Sequence, residues 1–401
     1  MYEPSYKTLK KYSDVLVKFA LNGGKGIKAK EVVFLMLSES AKPILKPLMK
    51  SVLECNAFPL IKYIPEDIDY YLFENSNNNQ IKYYPRNYLL ERVKEIDHLV
   101  SIGSTNNKHE LEKVDKKKIL LRTKSSKFYK DALRKKEGKG MFTWTYALYG
   151  TEAMAREANL TLRDYWKQII KACFLNYNNP LSKWREISKK MSKIKKLLNS
   201  LDIDTVQIKS PNTDLKIKIG KGRQWVGGSG RNIPSFEIFT SPDWRGTEGW
   251  MKSDRTIYRY GNLIEGIELE FKNGKVIKSK AKKNEKLLKE IIIVENANKI
   301  GEFSLTDKRF SNINLFMGET LYDENVGGKF GNFHIAIGSA FKDCYKNDAK
   351  NIKDKKLKKL GFNIDCAVHM DIISTDDRIV TAKLRNGEKK IIFKDGQFQI
   401  D

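Results

Sequence analysis

The 401-residue chain has few cysteines, few histidines and no long apolar segment. Its four cysteines are scattered without a CxxC pair, which predicts reduced thiols and argues against a disulfide framework or a thiolate zinc site. The N-terminal stretch lacks the apolar core of a signal peptide. The longest apolar runs, such as VVFLML at 32–37, are far too short to span a bilayer. We therefore expect a cytoplasmic protein without a membrane partner.

Negative charge is also scarce, since 49 acidic residues face 75 lysines and arginines and the net charge is +26. Such an excess is typical of proteins that bind nucleic acid or another polyanion. However, the lysine clusters, such as SKKMSKIKK, are spread along the chain and mixed with acids, as on solvated helix faces. No nucleic-acid-binding motif accompanies the charge. A nucleic-acid-binding protein or metal-dependent nuclease is therefore only the alternative interpretation.

The first half of the chain alternates between predicted strands and helices. Hydrophobic residues make up 40% of the chain, enough for folded cores. EVVFLML at 31–37 predicts a buried strand, and the following amphipathic segment predicts a helix that Pro47 should kink or end early. Thr161, three residues before Asp164, predicts the start of another helix. We expect an N-terminal α/β domain over residues 1–203 with a largely parallel sheet.

The pattern changes after residue 203. Short alternating segments such as IELEFKNGKVIKSKA and KLRNGEKKIIFKDGQFQI are joined by Asn-Gly or Asp-Gly turns. These dipeptides between alternating apolar residues are the strongest local signal for a β-hairpin. The sequence therefore predicts a second domain over residues 204–401, mainly antiparallel β, which would carry the catalytic site.

Polar side chains interrupt four otherwise apolar strands of this second half. AVHMDIIS holds an imidazole and a carboxylate two residues apart, and therefore on one face of a strand. A buried imidazole or carboxylate is costly unless something pairs with it. Small or polar neighbours two residues away leave room on the same face. A metal site would explain all of these residues together: Glu237, Glu302, His334, His369 and Asp371.

The residue types narrow the metal. Carboxylates together with imidazoles suit Zn²⁺, Co²⁺ or Mn²⁺. Five ligands exceed the need of one tetrahedral ion and fit two ions ~3.5–4 Å apart, bridged by a carboxylate. For each residue alone, an ordinary ion pair with lysine or arginine is the simpler explanation. His98 and His109 lack this context, and we expect them to be surface residues or satisfied interior residues.

The same segments, taken in order, carry a family resemblance. GRNIPSFEIFTSP, IGEFSL, ETLYDENVGGKFGNFHIAIGSAF and AVHMD resemble successive blocks of the thermophilic metalloaminopeptidase family, the group of aminopeptidases T, S and PepS. The similarity covers most of residues 220–375. The N-terminal stretch YSDVLVKFALNGGKGIKAKEVVFLML is also similar to that family.

The resemblance implies a metal-dependent aminopeptidase that removes N-terminal residues from short peptides through a dinuclear site and a bridging hydroxide. It implies that the five polar residues are the metal ligands, with Glu302 as the bridge. It also implies a homodimer whose active sites face an enclosed cavity. The proton-transfer group stays open, because Asp323 and Glu324 lie nearby in sequence but could equally serve a structural role.

One position departs from the family pattern. Family members commonly carry a tyrosine seven residues after the histidine that corresponds to His334, whereas this chain has Phe341. Tyr345 could replace the missing hydroxyl if the chain becomes helical after Ser339, since positions four apart on a helix are neighbours. A catalytically weakened family member that acts by binding is therefore a further alternative.

Overall fold

The computed structural model describes residues 2–259, 262–347, 349 and 352–399. The chain forms two compact units, one of Met1–Arg185 with Ser229–Pro234 and the other of Glu186–Gly228 with Ser235–Asp401. The boundary expected near residue 203 stays a prediction, and no sequence pattern indicated that 229–234 returns to the first unit. No helix in the described part of the chain combines the length and apolar character needed to cross a bilayer.

The first unit is an α/β layer around a four-stranded sheet. Its strands are β1 (Val32–Ser38), β2 (Phe58–Ile64), β3 (His98–Gly103) and β4 (Thr143–Leu148). Their spatial order is β2-β1-β3-β4 and every pairing is parallel, which confirms the predicted parallel sheet. Its helices are α1 (Tyr6–Val15), α2 (Lys42–Leu53), α3 (Ile68–Asn75), α4 (Asn78–Lys82), α5 (Arg86–Glu95), α6 (Lys116–Ser125), α7 (Lys127–Gly138), α8 (Glu152–Glu157) and α9 (Leu162–Ala172), with a π-helix at Leu16–Ala20 and a 3₁₀ turn at Glu39–Ala41.

Strand β1 shows why this sheet is parallel and central. Val33, Leu35 and Leu37 are fully buried on one of its faces. On the other face, Phe34 packs with Ile96 and Phe142. Burial on both faces is the rule for parallel strands, which therefore appear in sequence as continuous apolar runs. The predicted start of α9 is also confirmed, because the Thr161 hydroxyl accepts a hydrogen bond from the Asp164 amide at 3.1 Å.

Helix α2 corrects one expectation. Pro47 does not end the helix, which continues to Leu53. An interior proline costs about 3 kcal/mol through its missing N–H and its clash with the preceding turn. Ile44, Leu48 and Val52, spaced four residues apart, are all fully buried. Burial of three such side chains, at roughly 1.5–3 kcal/mol each, outweighs the cost of the proline.

The second unit is mainly antiparallel β, as predicted. Its strands are β5 (Ile203–Ser210), β6 (Thr213–Lys218), β7 (Glu237–Thr240), β8 (Glu248–Lys252), β9 (Ile257–Arg259), β10 (Asn262–Ile264), β11 (Glu268–Lys272), β12 (Lys275–Lys280), β13 (Ile300–Thr306), β14 (Asn332–Gly338), β15 (His369–Ser374), β16 (Ile379–Leu384), β17 (Lys389–Lys394) and β18 (Gln397–Phe398). The helices are α10 (Pro180–Ser200), which begins in the first unit, α11 (Glu285–Ile292), α12 (Thr320–Asp323) and α13 (Asp354–Lys359), with 3₁₀ turns at Trp244–Gly246 and Lys342–Cys344.

These strands form three antiparallel sheets. The eight-stranded sheet has the order β12-β11-β8-β6-β5-β16-β17-β18, and β9 and β10 form a two-stranded sheet. The predicted hairpin between β11 and β12 turns at Asn273 and Gly274, whose positive φ angles of 51° and 75° suit an Asn-Gly turn. The third sheet, with the order β15-β14-β13-β7, carries the candidate site. Every residue of β13 and β14 is buried, so this sheet is covered on both faces.

Candidate metal centre

The third sheet brings all five predicted ligands onto one face. Directly opposite residues in its ladders are Glu237 and Thr306, His334 and Ser304, Asp371 and Ala336, and His369 and Gly338. Opposite residues of antiparallel strands project to the same side. Since Glu302 lies two residues before Ser304, it shares that side as well. The residues between the five are small, so the polar side chains can converge.

His334 lies at the centre of the group. Its Nε2 is 3.4 Å from Glu237 Oε2, 3.6 Å from Glu302 Oε1 and 3.9 Å from Asp371 Oδ1. Its Nδ1 is buried and has no hydrogen-bond partner among the described residues. The Nε2 atom of His334 is thus surrounded by three carboxylates and makes no short hydrogen bond to any of them.

His369 lies beside two of the same carboxylates, Glu302 and Asp371. Its Nδ1 donates a hydrogen bond of 2.8 Å to the Ser339 carbonyl. In the neutral ring this leaves the Nε2 lone pair directed at Glu302 Oε2, 3.3 Å away, and Asp371 Oδ1, 3.4 Å away. A metal-binding histidine typically donates its other ring N–H to a carbonyl or carboxylate in this way.

The donor set fits divalent cations. Two ligand atoms that are each about 2.0–2.2 Å from one tetrahedral ion lie about 3.3–3.6 Å apart. Four of the five nitrogen-to-oxygen distances are 3.3–3.6 Å. The atoms form two overlapping groups, one of Glu237, Glu302 and His334 and one of Glu302, His369 and Asp371. Glu302 belongs to both groups, with Oε1 directed at one histidine and Oε2 at the other.

The three carboxylates give the group an excess of negative charge, which shifts the pKa values of its members. Burial by itself lowers the pKa of His334 and His369, yet the carboxylates outweigh it and raise both well above the ordinary value. Burial raises the pKa of Asp371, but the two histidines outweigh it and hold that pKa at about 2. The pKa of Glu237 is raised, by burial first and then by Glu302 and Asp371. Without a metal, protons provide the positive charge that a divalent cation would otherwise supply. Protons and cations therefore compete for the same ligand atoms.

The two acidic residues at the C-terminal end of α12, Asp323 and Glu324, have different environments. Asp323 accepts hydrogen bonds from the Met317 amide at 2.8 Å and the Glu319 amide at 2.9 Å, so it holds the local backbone. Glu324 is buried and accepts a long hydrogen bond of 3.4 Å from the side-chain amide of Asn325. Burial, then the Glu237 and Asp371 carboxylates, raise the pKa of Glu324 well above its usual value. Glu324 is therefore a weakly hydrogen-bonded carboxyl beside the cluster. The sequence alone did not decide between a structural and a catalytic role for it.

Phe341 and Tyr345 have different ring partners. The chain forms only the short 3₁₀ turn Lys342–Cys344 here, and Tyr345 is extended. The Phe341 ring contacts His369, with centroids 4.9 Å apart, whereas Tyr345 packs on Phe362 at 6.4 Å. The helix that would make the two rings neighbours is absent from this described segment. Tyr345 is therefore not placed to replace the missing hydroxyl.

The two remaining histidines lie in the first unit, as satisfied or surface residues. His98 is buried and its nitrogens pair with Thr143 Oγ1 and Glu31 Oε2, both at 2.8 Å. His109 is half exposed and contacts Glu157 at 2.7 Å. Both environments agree with the expectation from sequence.

Comparison with curated proteins gives one relative over nearly the whole chain and others over about three fifths of it. Aminopeptidase 2 of Geobacillus stearothermophilus is 24% identical over 425 residues, which covers 98% of each chain. Aminopeptidase PepS of Streptococcus thermophilus is 29% identical over 248 residues, covering 59% of this chain and 58% of the relative. Aminopeptidase T of Thermus thermophilus is 26% identical over 252 residues, covering 60% of each chain.

The fold and the family agree with these relatives. The solved structure of wild-type AmpT from Thermus thermophilus superposes with a TM-score of 0.83 at 20% identity, covering 98% of this chain and 99% of the other, which shows a shared fold. A family model described as thermophilic metalloprotease (M29) matches residues 5–398. The predicted family and enzyme class are confirmed: the chain is a peptide hydrolase and belongs to the thermophilic metalloprotease (M29) family.

Proposed function

We propose that the chain is an aminopeptidase that removes N-terminal residues from short peptides with the help of two divalent cations. Family membership supports metal-dependent peptide hydrolysis, and the names of the relatives support aminopeptidase action. Zn²⁺, Co²⁺ and Mn²⁺ all suit the donor types. In this proposal Glu302 bridges the two ions, and the ligands are Glu237, Glu302, His334, His369 and Asp371.

One observation carries the proposal. Three carboxylates and two imidazoles from four strands converge, with nitrogen-to-oxygen distances of 3.3–3.9 Å, and the three carboxylates are buried beside the two rings. A buried cluster in which carboxylates outnumber the imidazoles beside them is unfavourable unless a cation compensates the excess negative charge. Two groups that share Glu302 support two ions instead of one.

When bound, two such cations would polarise a peptide carbonyl and lower the pKa of a water, so that hydroxide would be available near neutral pH. The chain's own residues hold this arrangement in place. The Ser339 carbonyl fixes the ring orientation of His369 and directs its Nε2 to the centre. Ser304 donates a long hydrogen bond of 3.4 Å to Glu237 Oε2 and so helps to fix that carboxylate.

Glu324 is the residue we assign to proton transfer. A peptide hydrolase must take a proton from the attacking water and give one to the leaving amine. Glu324 is buried beside the ligands, and its carboxyl is not held by backbone amides as that of Asp323 is. A carboxyl in this position can move a proton without surrendering a structural role.

The decisive experiment combines metal analysis with a substrate panel. We expect the purified protein to contain close to two equivalents of divalent metal by mass spectrometry, and to release p-nitroaniline from leucine p-nitroanilide. Chelation should abolish this activity and re-addition of Zn²⁺, Co²⁺ or Mn²⁺ should restore it. The N-acetylated substrate, which lacks a free amine, is the matched control and should not be cleaved. Full activity in the chelated protein, or cleavage of the acetylated substrate, would contradict the proposal.

We further propose a cytoplasmic homodimer. The family resemblance supports the dimer, and the four free cysteines support a reducing compartment. Light scattering of the purified protein should give twice the 46.4 kDa chain mass. A single-chain mass at micromolar concentration would contradict the dimer and leave the metal assignment unaffected.

A further inference from the structure

We infer that Phe341, together with Phe239, forms an apolar platform that receives the side chain of the substrate's N-terminal residue and so selects peptides with an apolar N-terminus. This inference rests on the proposed aminopeptidase function and adds a substrate class to it. It makes Phe341 a specificity-determining residue.

The exposure of the ligands shows from which side a substrate can arrive. The exposed side-chain fractions of His334, Glu302, Asp371 and Glu237 are 1%, 4%, 9% and 11%, whereas that of His369 is 29%. The cluster is therefore accessible mainly where His369 lies. A peptide that reaches the metal ligands must pass over or beside this ring.

Phe341 lies at that opening. Its ring meets His369 edge to face at a centroid distance of 4.9 Å and Phe239 at 5.6 Å. The ring nevertheless remains 40% exposed, so it presents free apolar surface beside the most accessible ligand. Its backbone amide donates a hydrogen bond of 2.9 Å to Ser241 Oγ, and Ser241 is fully buried. The backbone of Phe341 is thus anchored before a substrate binds, which limits the entropy lost on binding.

Bond connectivity points to the first residue of the peptide. In aminopeptidase action both the free amine and the first carbonyl must reach the ligand cluster. The first Cα is bonded to both of these groups, so its side chain is the one held beside the ligands. The side chain of the next residue starts ~3.8 Å further along the chain, from the next Cα. A ring in direct contact with a ligand is therefore nearer to the first side chain than to the second.

The chemistry of the platform sets the preference. Two phenyl rings offer neither a charge nor a hydroxyl, so they favour apolar side chains and leave a charged group without a partner. One methylene in an apolar pocket changes kcat/KM by ~10–200-fold. We expect leucine and phenylalanine at the N-terminus to be preferred over glycine by at least ~10-fold.

The test compares Phe341→Ala with wild type on aminoacyl p-nitroanilides of glycine, alanine, leucine and phenylalanine. Truncation should lower kcat/KM for leucine and phenylalanine by ~10-fold or more, because a single methylene in an apolar pocket already changes kcat/KM by that factor. We expect most of the loss to be a higher KM. The leucine-to-glycine ratio of kcat/KM should fall by ~10-fold or more, since the glycine substrate does not use the platform. Phe341→Leu should restore part of the preference. Phe58→Ala is the matched control, because Phe58 is 57% exposed in the first unit.

A second measurement does not depend on turnover. Calorimetry of the metal-loaded protein should show that L-leucine binds more tightly than glycine to wild type, and that Phe341→Ala removes the difference. An equal loss for all four substrates, or an unchanged preference, would overturn the platform. A shifted preference for the second residue in Gly-X dipeptides would also overturn it. If wild type cleaves no aminoacyl substrate, the proposed function fails, and calorimetry still decides on the platform.

Discussion

Two buried histidines in this molecule sit beside carboxylates, and their surroundings differ in kind. His98 in the first unit has both nitrogens within 2.8 Å of a partner, Thr143 on one side and Glu31 on the other. His334 in the second unit faces three carboxylates at 3.4–3.9 Å, and its other nitrogen has no partner among the described residues. Both rings are almost completely buried.

The difference separates a structural histidine from a candidate ligand. At His98 each donor meets one acceptor, so the network is complete without any added group. At His334 acceptors outnumber donors, and the folded chain leaves the imbalance uncorrected. A protein keeps such a cluster at a cost to stability where a functional group supplies the missing charge. The two rings are buried alike, but one carboxylate pairs with His98 whereas three buried carboxylates face His334.

The largest expected effect follows from removing one carboxylate from each of the two histidine environments. Glu302→Ala should lower the metal affinity by more than ~100-fold, since loss of a residue that only hydrogen-bonds to a ligand already lowers it by ~10–100-fold. Peptidase activity should fall below detection. The matched variant Glu31→Ala removes the carboxylate beside His98 and should leave metal content and kcat unchanged, as should His109→Ala. Near-normal metal content and rate in Glu302→Ala would remove Glu302 from the site.

The next effect concerns the weakly hydrogen-bonded carboxyl beside the cluster. Glu324→Gln should lower kcat by ~10²–10⁴, the usual contribution of a positioned acid or base, with metal content unchanged. Asp323→Asn is its neighbour control. It weakens the hydrogen bonds to the Met317 and Glu319 amides and should lower the melting temperature more than the rate. A rate within twofold of wild type for Glu324→Gln would show that another group carries the proton.

A third prediction tests the missing hydroxyl. Phe341→Tyr restores a donor against His369, and one oxyanion donor is worth ~10²–10³ in rate, so we expect kcat to rise within that range. Tyr345→Phe should be neutral, because the Tyr345 ring packs on Phe362. If instead Tyr345→Phe collapses kcat, a tyrosine hydroxyl reaches the site from Tyr345. If both variants match wild type, no tyrosine hydroxyl contributes to turnover.

A fourth prediction uses the stability of the metal-free protein. Glu237→Gln replaces a buried carboxylate among carboxylates, and should raise the free energy of unfolding by ~1–2 kcal/mol, within the range seen when buried charges are replaced. Glu31→Gln should lower it by ~1 kcal/mol, because a charge-assisted hydrogen bond to His98 is weakened. Urea titration of the chelated proteins measures both. Destabilisation by Glu237→Gln in the metal-free protein would mean that the cluster is satisfied without a cation.

The smallest expected effect is a pH dependence on the His98 side. Burial raises the pKa of Glu31, but the Lys28 amide and His98 lower it more, so the folded-state pKa is below the ordinary value. The stabilisation by Glu31 is therefore complete above the unfolded pKa of ~4.3 and is lost as the pH falls through the folded value. Urea unfolding of wild type and Glu31→Gln at pH 7 and pH 3 should show the stability difference shrinking at low pH. A difference that grows on acidification would contradict this assignment.

Much of the fold could be read from local pattern. The continuous apolar run of β1 predicted a strand buried on both faces, and the Asn-Gly and Asp-Gly dipeptides predicted hairpins that the structure shows. Pro47 misled because the local cost of a proline was weighed without the tertiary burial of Ile44, Leu48 and Val52. Local rules fail where long-range packing contributes more free energy than the local preference.

The candidate site was predicted only in part. His369 and Asp371 share a face by their spacing alone, so their proximity follows from strand geometry. That Glu302 lies between the two histidines depends on the register of three strands, which no local pattern specifies. The roles of Ser339, Asp323 and Glu324 also depend on which loops pack beside the sheet.

By itself, the sequence determined which residue types are available and which of them must share a strand face, because alternation along a strand is a property of the backbone. It thereby named five residues that an apolar core would not accept without compensation. The tertiary structure decided that their atoms meet at 3.3–3.9 Å, and that Phe341 contacts His369 while Tyr345 packs on Phe362. Distances between strands far apart in sequence follow from register and packing, and these exist only once the whole unit has folded.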